Sequence, residues 1–232
     1  GFYDTLTAFI SQMIPKKYEI ETHHLINLFF SFITILGITK ITKSIFNSKV
    51  SKIVFLILFL NPIFFGHMSI NTKDTIIAFS NVWATYFIIR YLQTQSSEIR
   101  RKHFSMLVGI AIGFGIGSRI ISLATFAPIF ILIFLDIFFI KIIRDKKFSI
   151  SNFFKDFLKI FLIVYFIMII FWPHVHSNIF ILPFKFFLES LNLSPTNELN
   201  LFSKSSMVMG SLGSPFGYSR YSSNVLPSLV VT

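Results

Sequence analysis

Six stretches of nearly uninterrupted apolar residues, at about 24–41, 53–66, 75–93, 104–118, 121–141 and 156–172, dominate this chain of 232 residues. A helix needs about 20 such residues to cross a bilayer core of roughly 30 Å. The pattern therefore predicts an all-α, polytopic transmembrane helix bundle of about six spans. Residues 1–23 read as an outer segment, 24–173 as the bundle, and 174–232 as a polar outer loop. That loop holds an interfacial helix and the start of a further span near Leu226. The fourth and fifth stretches are separated only by the glycines and arginine of "GIAIGFGIGSRIISL". Glycines at this spacing predict two closely packed helices, with Arg119 at the turn. A single kinked helix would put the loop at 67–74 and the cluster Lys141–Lys147 on one side.

The polar positions between the stretches give an orientation. Lys40, Lys43, Lys49 and Lys52 follow the first stretch, Arg90, Arg100, Arg101 and Lys102 the third, and Lys141, Arg144, Lys146 and Lys147 the fifth. Basic residues accumulate in cytoplasmic loops, so these three loops are expected inside. By alternation, residues 1–23, the loop 67–74, the turn at Arg119 and the tail from His174 face out.

Composition agrees with the pattern: 53% of residues are hydrophobic, 13% are charged, and the mean hydropathy is +0.72. Soluble domains carry about 25% charged residues. The net charge of +11 arises from clusters between apolar segments and not from one basic face, so nucleic acid is not an expected partner. The absence of cysteine excludes disulfides and thiolate metal sites. The first residue is Gly1 and "NVLPSLVVT" at the end resembles a helix beginning, which leads us to expect an internal fragment.

One polar group is not explained by the orientation rule. "GHMSINTKDTIIAF" places His67, Asn71, Lys73 and Asp74 on the outer side, immediately before an apolar helix. By its spacing Asp74 suits an N-cap first, and a role in a site can coexist with capping. An anionic lipid headgroup at the outer interface calls for cations, and Lys73 and Arg119 are placed to supply them. For Arg119, snorkelling to the interface is the competing role. His67 and Asp74 offer two metal ligands, which leaves a divalent metal ion open as a cofactor. His174 and His176 flank Val175 and read as interfacial anchors beside Trp172, as do His23 and His24 before the first stretch. Asp136 reads as half of an interfacial ion pair with Lys141.

The same segment resembles the second outer loop of polyprenyl-phosphate-dependent membrane glycosyltransferases of the GT-C type, which include protein O-mannosyltransferases and aminoarabinose transferases. Relatives carry a motif close to G-H-x-x-I-N-P-K-D, and Thr72 stands where Pro is usual. "HHLINLFFSFITILG", "GIAIGFGIGSRI", "FWPH" and "NVLPSLVV" resemble further family segments in the same order. "GFYDTLTAF" is similar to the later part of the family's first outer loop, which implies that Asp4 lines the site and that the family's main catalytic carboxylate lies upstream.

The resemblance implies transfer of a sugar from a polyprenyl-phosphate donor to a lipid, protein or glycan acceptor. The expected location is the outer face of a bacterial inner membrane, with membrane lipids as surroundings. Asp74 would be the catalytic residue within this chain, as second acid, metal ligand or acceptor-orienting group, and Lys73, His67, Asn71, Arg119 and Asp4 would contact substrate. Tyr218, Arg220 and Tyr221 in "GSLGSPFGYSRYSSN" would stack on sugar and bind phosphate from a closing loop. "PFKFFLESL", with Lys185 and Glu189 one turn apart, would support that loop as an interfacial helix. The alternative function is a multi-pass transporter or flippase, whose site would lie near the bilayer midplane.

Overall fold

The computed structural model describes residues 1–62, 64, 66, 72–120, 122–140, 148–172, 176–183 and 185, all within one compact unit, Gly1–Ser190. The described residues are all-helical, as the apolar pattern requires. Seven α-helices follow one another: α1 (Phe2–Ser11), α2 (Glu19–Ile45), α3 (Ser48–Leu60), α4 (Thr72–Gln93), α5 (Glu98–Ser118), α6 (Ser122–Leu135) and α7 (Ile150–Phe171). A 3₁₀ turn at Lys16–Tyr18 leads into α2, and a π-helical turn at Asp136–Ile140 extends α6. Local chemistry fixes several boundaries. The Asn47 side chain accepts the Val50 amide to start α3, and the Ser149 hydroxyl accepts the Asn152 amide to start α7.

The count of six spans is not reproduced by length and apolarity together. Among the described residues, one helix is long and apolar enough to cross a membrane, Lys16–Ile45, and Ser122–Leu135 is a shorter apolar helix. Two physical reasons account for the difference. α3 has 13 residues, roughly 20 Å of rise, short of a bilayer core. The helices of sufficient length, α4, α5 and α7, carry charged residues: Lys73 and Asp74 at the start of α4, Arg101 and Lys102 early in α5, and Lys155, Asp156 and Lys159 in the first half of α7. The separation of the fourth and fifth stretches does appear. Arg119 is extended (φ −149°, ψ 129°) between α5 and α6, so the chain turns there and does not kink.

α5 is the central helix, packed most extensively on α4 and α7, while α2 packs on α4 and α3. Glycine makes the α5 contacts possible. A Cβ on Gly113 would meet Ile167 of α7 at 2.9 Å, and one on Gly115 would collide with the Ser80 hydroxyl of α4. Ser80, itself fully buried, donates through its hydroxyl to the Ala111 carbonyl at 2.6 Å, so α4 lies close enough for a short side chain to reach the backbone of α5. Ala84, Ile112, Phe126 and Ile137 fill the interior. Large apolar side chains face outward, among them Phe29 on α2, Ile57 on α3, Leu132 on α6 and Phe166 on α7. Contiguous apolar exposure on several helices is what lipid-facing surface looks like and is not tolerated in water.

The helices run so that two ends can be distinguished. One end, here the rim, carries α1, the starts of α2, α4 and α6, and the finishes of α5 and α7. Phe2 of α1 stands there against Phe30, Phe114 and Phe171, with ring centroids at 6.4, 4.7 and 4.8 Å. The Trp172 indole donates to the Gly117 carbonyl at 2.9 Å at the same level.

Candidate active site

The rim gathers four of the charged residues that the sequence singled out. Lys73 and Asp74 lie in the first turn of α4, which starts at Thr72; Asp74 is therefore inside the turn and is not its cap. A carboxylate there is stabilised by the helix dipole. Arg119 follows the last turn of α5, its amide bonded to the Gly115 carbonyl at 3.0 Å. Asp4 comes from α1, which the Phe2 ring cluster holds against α2, α5 and α7.

Two ion pairs link these elements crosswise. Lys73 Nζ lies 3.3 Å from Asp4 Oδ2, joining α4 to α1, and Arg119 Nη1 donates to Asp74 Oδ1 at 3.3 Å, joining α5 to α4. All four side chains are 40–53% exposed. Burial opposes ionisation of Asp4, and Lys73 beside it favours the ionised form. Asp4 is therefore an anion at neutral pH.

One helical turn further in lies a polar group that the sequence reading missed. The Tyr3 hydroxyl sits 3.4 Å from His23 Nδ1. Burial raises the pKa of Tyr3, which keeps it a neutral hydroxyl. Asn27, 1% exposed, reaches toward the same hydroxyl, yet neither its Oδ1 nor its Nδ2 attains hydrogen-bond geometry. The available signal was the i, i+4 spacing of His23 and Asn27, which puts both on one face of α2. His23 thus packs against α1 and is more than an interfacial anchor.

An apolar groove of about 810 Å³ adjoins, lined by Leu6 and Ile10 of α1, Leu25 and Phe29 of α2, and Phe59 of α3. α1 serves both features: Asp4 enters the ionic cluster, and Leu6 and Ile10 line the groove within about 9 Å of helix rise.

His67, Asn71, Tyr218, Arg220, Tyr221, His174 and Glu189 lie outside the described residues. His176 is described and bonds through Nε2 to the Ile169 carbonyl at 2.8 Å, fastening the exit of α7. Asp136 is buried in the π-helical turn, and its expected partner Lys141 lies outside the described residues. Among the described residues no three His, Cys, Asp or Glu side chains converge as a metal site.

The family described as dolichyl-phosphate-mannose-protein mannosyltransferase matches residues 10–176, most of the chain. The chain belongs to that family. It is accordingly an integral membrane protein and a glycosyltransferase of mannosyltransferase type. No curated protein sequence and no solved structure matches it. The family match includes Lys73, Asp74 and Arg119, and it begins after Asp4.

Proposed function

We propose that the rim is the active site of a glycosyltransferase that takes its sugar from a polyprenyl-phosphate donor at the outer membrane face. The observation that carries this is the crosswise pairing of Lys73 with Asp4 and Arg119 with Asp74 beside an apolar groove. A donor of this class has an isoprenoid tail, which suits the groove, and a phosphate, which suits the two cations. Its sugar then lies at the carboxylates.

Transfer is a single displacement. An acceptor hydroxyl or amine attacks the anomeric carbon, the bond from that carbon to the phosphate oxygen breaks, and the electron pair leaves with the phosphate. Asp74 orients the acceptor and receives its proton, and Lys73 and Arg119 stabilise the charge developing on the leaving phosphate. The bundle spans the membrane about six times, its shorter helices assisted by neighbouring protein, and the basic end faces the cytoplasm. A bacterial inner membrane with the rim toward the periplasm fits this orientation. A transporter is less well supported, because transporter sites lie near the midplane and the ion pairs here sit at the two ends of the helices.

The test is Asp74→Asn in the full-length protein. Loss of a positioned proton acceptor lowers turnover about 10²- to 10⁴-fold, while the folded protein is recovered in normal yield. Wild-type sugar transfer by D74N removes Asp74 from the chemistry.

A further inference from the structure

Each candidate cation at the rim is already occupied by a carboxylate, and this has a consequence for the order of events. Lys73 and Asp74 are adjacent on α4 yet do not pair with one another, since neighbouring residues on a helix do not face each other. Lys73 reaches Asp4 on α1 and Asp74 reaches Arg119 after α5, both at 3.3 Å. Strong charge-assisted bonds are about 2.7–2.9 Å, so these are loose contacts. With all four side chains 40–53% exposed, each pair is also of the weak, water-screened kind. An arriving phosphate brings several acceptor oxygens on one group and competes directly with both carboxylates.

Resting on the donor reading above, we propose that the two ion pairs form a latch that the donor's phosphate exchanges. The phosphate takes Lys73 from Asp4 and Arg119 from Asp74. Without donor, Asp74 is held by Arg119 and is not free to turn to an acceptor. With donor, Arg119 turns to the phosphate, and Asp74 is released to face the acceptor. The acceptor is therefore activated only when there is a sugar to transfer. Asp4 has a different part: it is a competitor that sets how tightly phosphate must bind in order to enter.

The latch has a counter-intuitive signature, since removing a supposed substrate-binding residue should tighten binding. The measurement is the Kd of the full-length protein for a polyprenyl monophosphate carrying no sugar, which binds without turnover, with inorganic phosphate as a second probe. Asp4→Asn is expected to bind the polyprenyl phosphate about two- to fivefold more tightly than wild type, the range of one weak exposed ion pair. Asp74→Asn is expected to gain affinity likewise while losing transfer, which provides a second variant should D4N fail to fold. Lys73→Ala and Arg119→Ala are expected to bind more weakly. An equal gain with inorganic phosphate assigns the exchange to the phosphate group alone, and a gain confined to the polyprenyl phosphate assigns it to the lipid headgroup; both support the latch. Unchanged or weaker binding by D4N and D74N, with K73A and R119A still impaired, overturns the latch and leaves the donor reading standing. Unchanged binding by K73A and R119A overturns the donor reading and the latch together.

Discussion

The two ends of the helix bundle hold the same kinds of charge in opposite conditions. At the rim, Asp4–Lys73 and Asp74–Arg119 are about half exposed at 3.3 Å. At the other end, Arg101 of α5 brings Nε to 2.9 Å from Asp156 Oδ2 of α7, with side chains 8% and 7% exposed. The Tyr91 hydroxyl of α4 donates to the same oxygen at 3.1 Å. α4 and α5 run through both clusters, with Asp74 and Arg119 at one end and Tyr91 and Arg101 at the other. Burial decides what each cluster can do. An exposed pair stabilises little and exchanges partners readily. A buried pair cannot lose one member without stranding the other charge in apolar surroundings. The far end therefore fixes how α4, α5 and α7 lie together, and the rim is left free to change partners.

The largest effect should come from breaking the buried pair. Asp156→Ala leaves Arg101 uncompensated and removes the acceptor of Tyr91, a loss of about 3–5 kcal/mol. The expected result is a steep fall in the thermal unfolding midpoint and in the yield of folded protein. A midpoint within a degree or two of wild type would show that the two ends do not differ in the way burial indicates.

These contrasts were unequally legible in the sequence. The helical class, the break at Arg119 and the close packing of the glycine-rich helix follow from local pattern, because periodicity and small-residue spacing are properties of one segment. Lys73, Asp74 and Arg119 stood out because ionisable residues are rare beside long apolar runs. Their partners did not. Nothing in the spacing of Asp4 and Lys73, or of Arg101 and Asp156, reports which helices adjoin, and pairing across helices is set by tertiary packing. The count of six spans is not confirmed for a related reason: charged residues within the longer helices lower the hydropathy average that a span is judged by.

A second expected effect tests whether the glycine-built contact transmits register from one end to the other. Gly115→Ala places a methyl group where the Ser80 hydroxyl stands, and overpacking of this kind destabilises by about 1–3 kcal/mol. Because Gly115 lies one turn before Arg119 and accepts its amide hydrogen bond, the displacement also moves Arg119 relative to Asp74. G115A should thus lose sugar transfer beyond its loss of stability when assayed well below its unfolding midpoint. Full activity in a destabilised protein would separate the packing from the site.

The smallest effect is expected at the rim itself. Asp4→Asn removes a pair at which both partners are substantially exposed, so stability should change by less than about 1 kcal/mol, and added salt should shrink the difference further. The pH dependence has a definite sign. Pairing with Lys73 lowers the pKa of Asp4 below that of the same carboxyl left unpaired. The stability that the pair contributes is thus present while the carboxyl is ionised and is lost as the pH falls and protonates it. Wild type and D4N should unfold alike at neutral pH in high salt and should converge at all salt concentrations once Asp4 is protonated. The Asp156 variant should show no comparable relief by salt, since its partner is shielded from solvent. If D4N instead cost as much as D156A, or if salt left its small effect untouched, the rim pair would be a structural element, and the exchange of partners there would lose its physical basis.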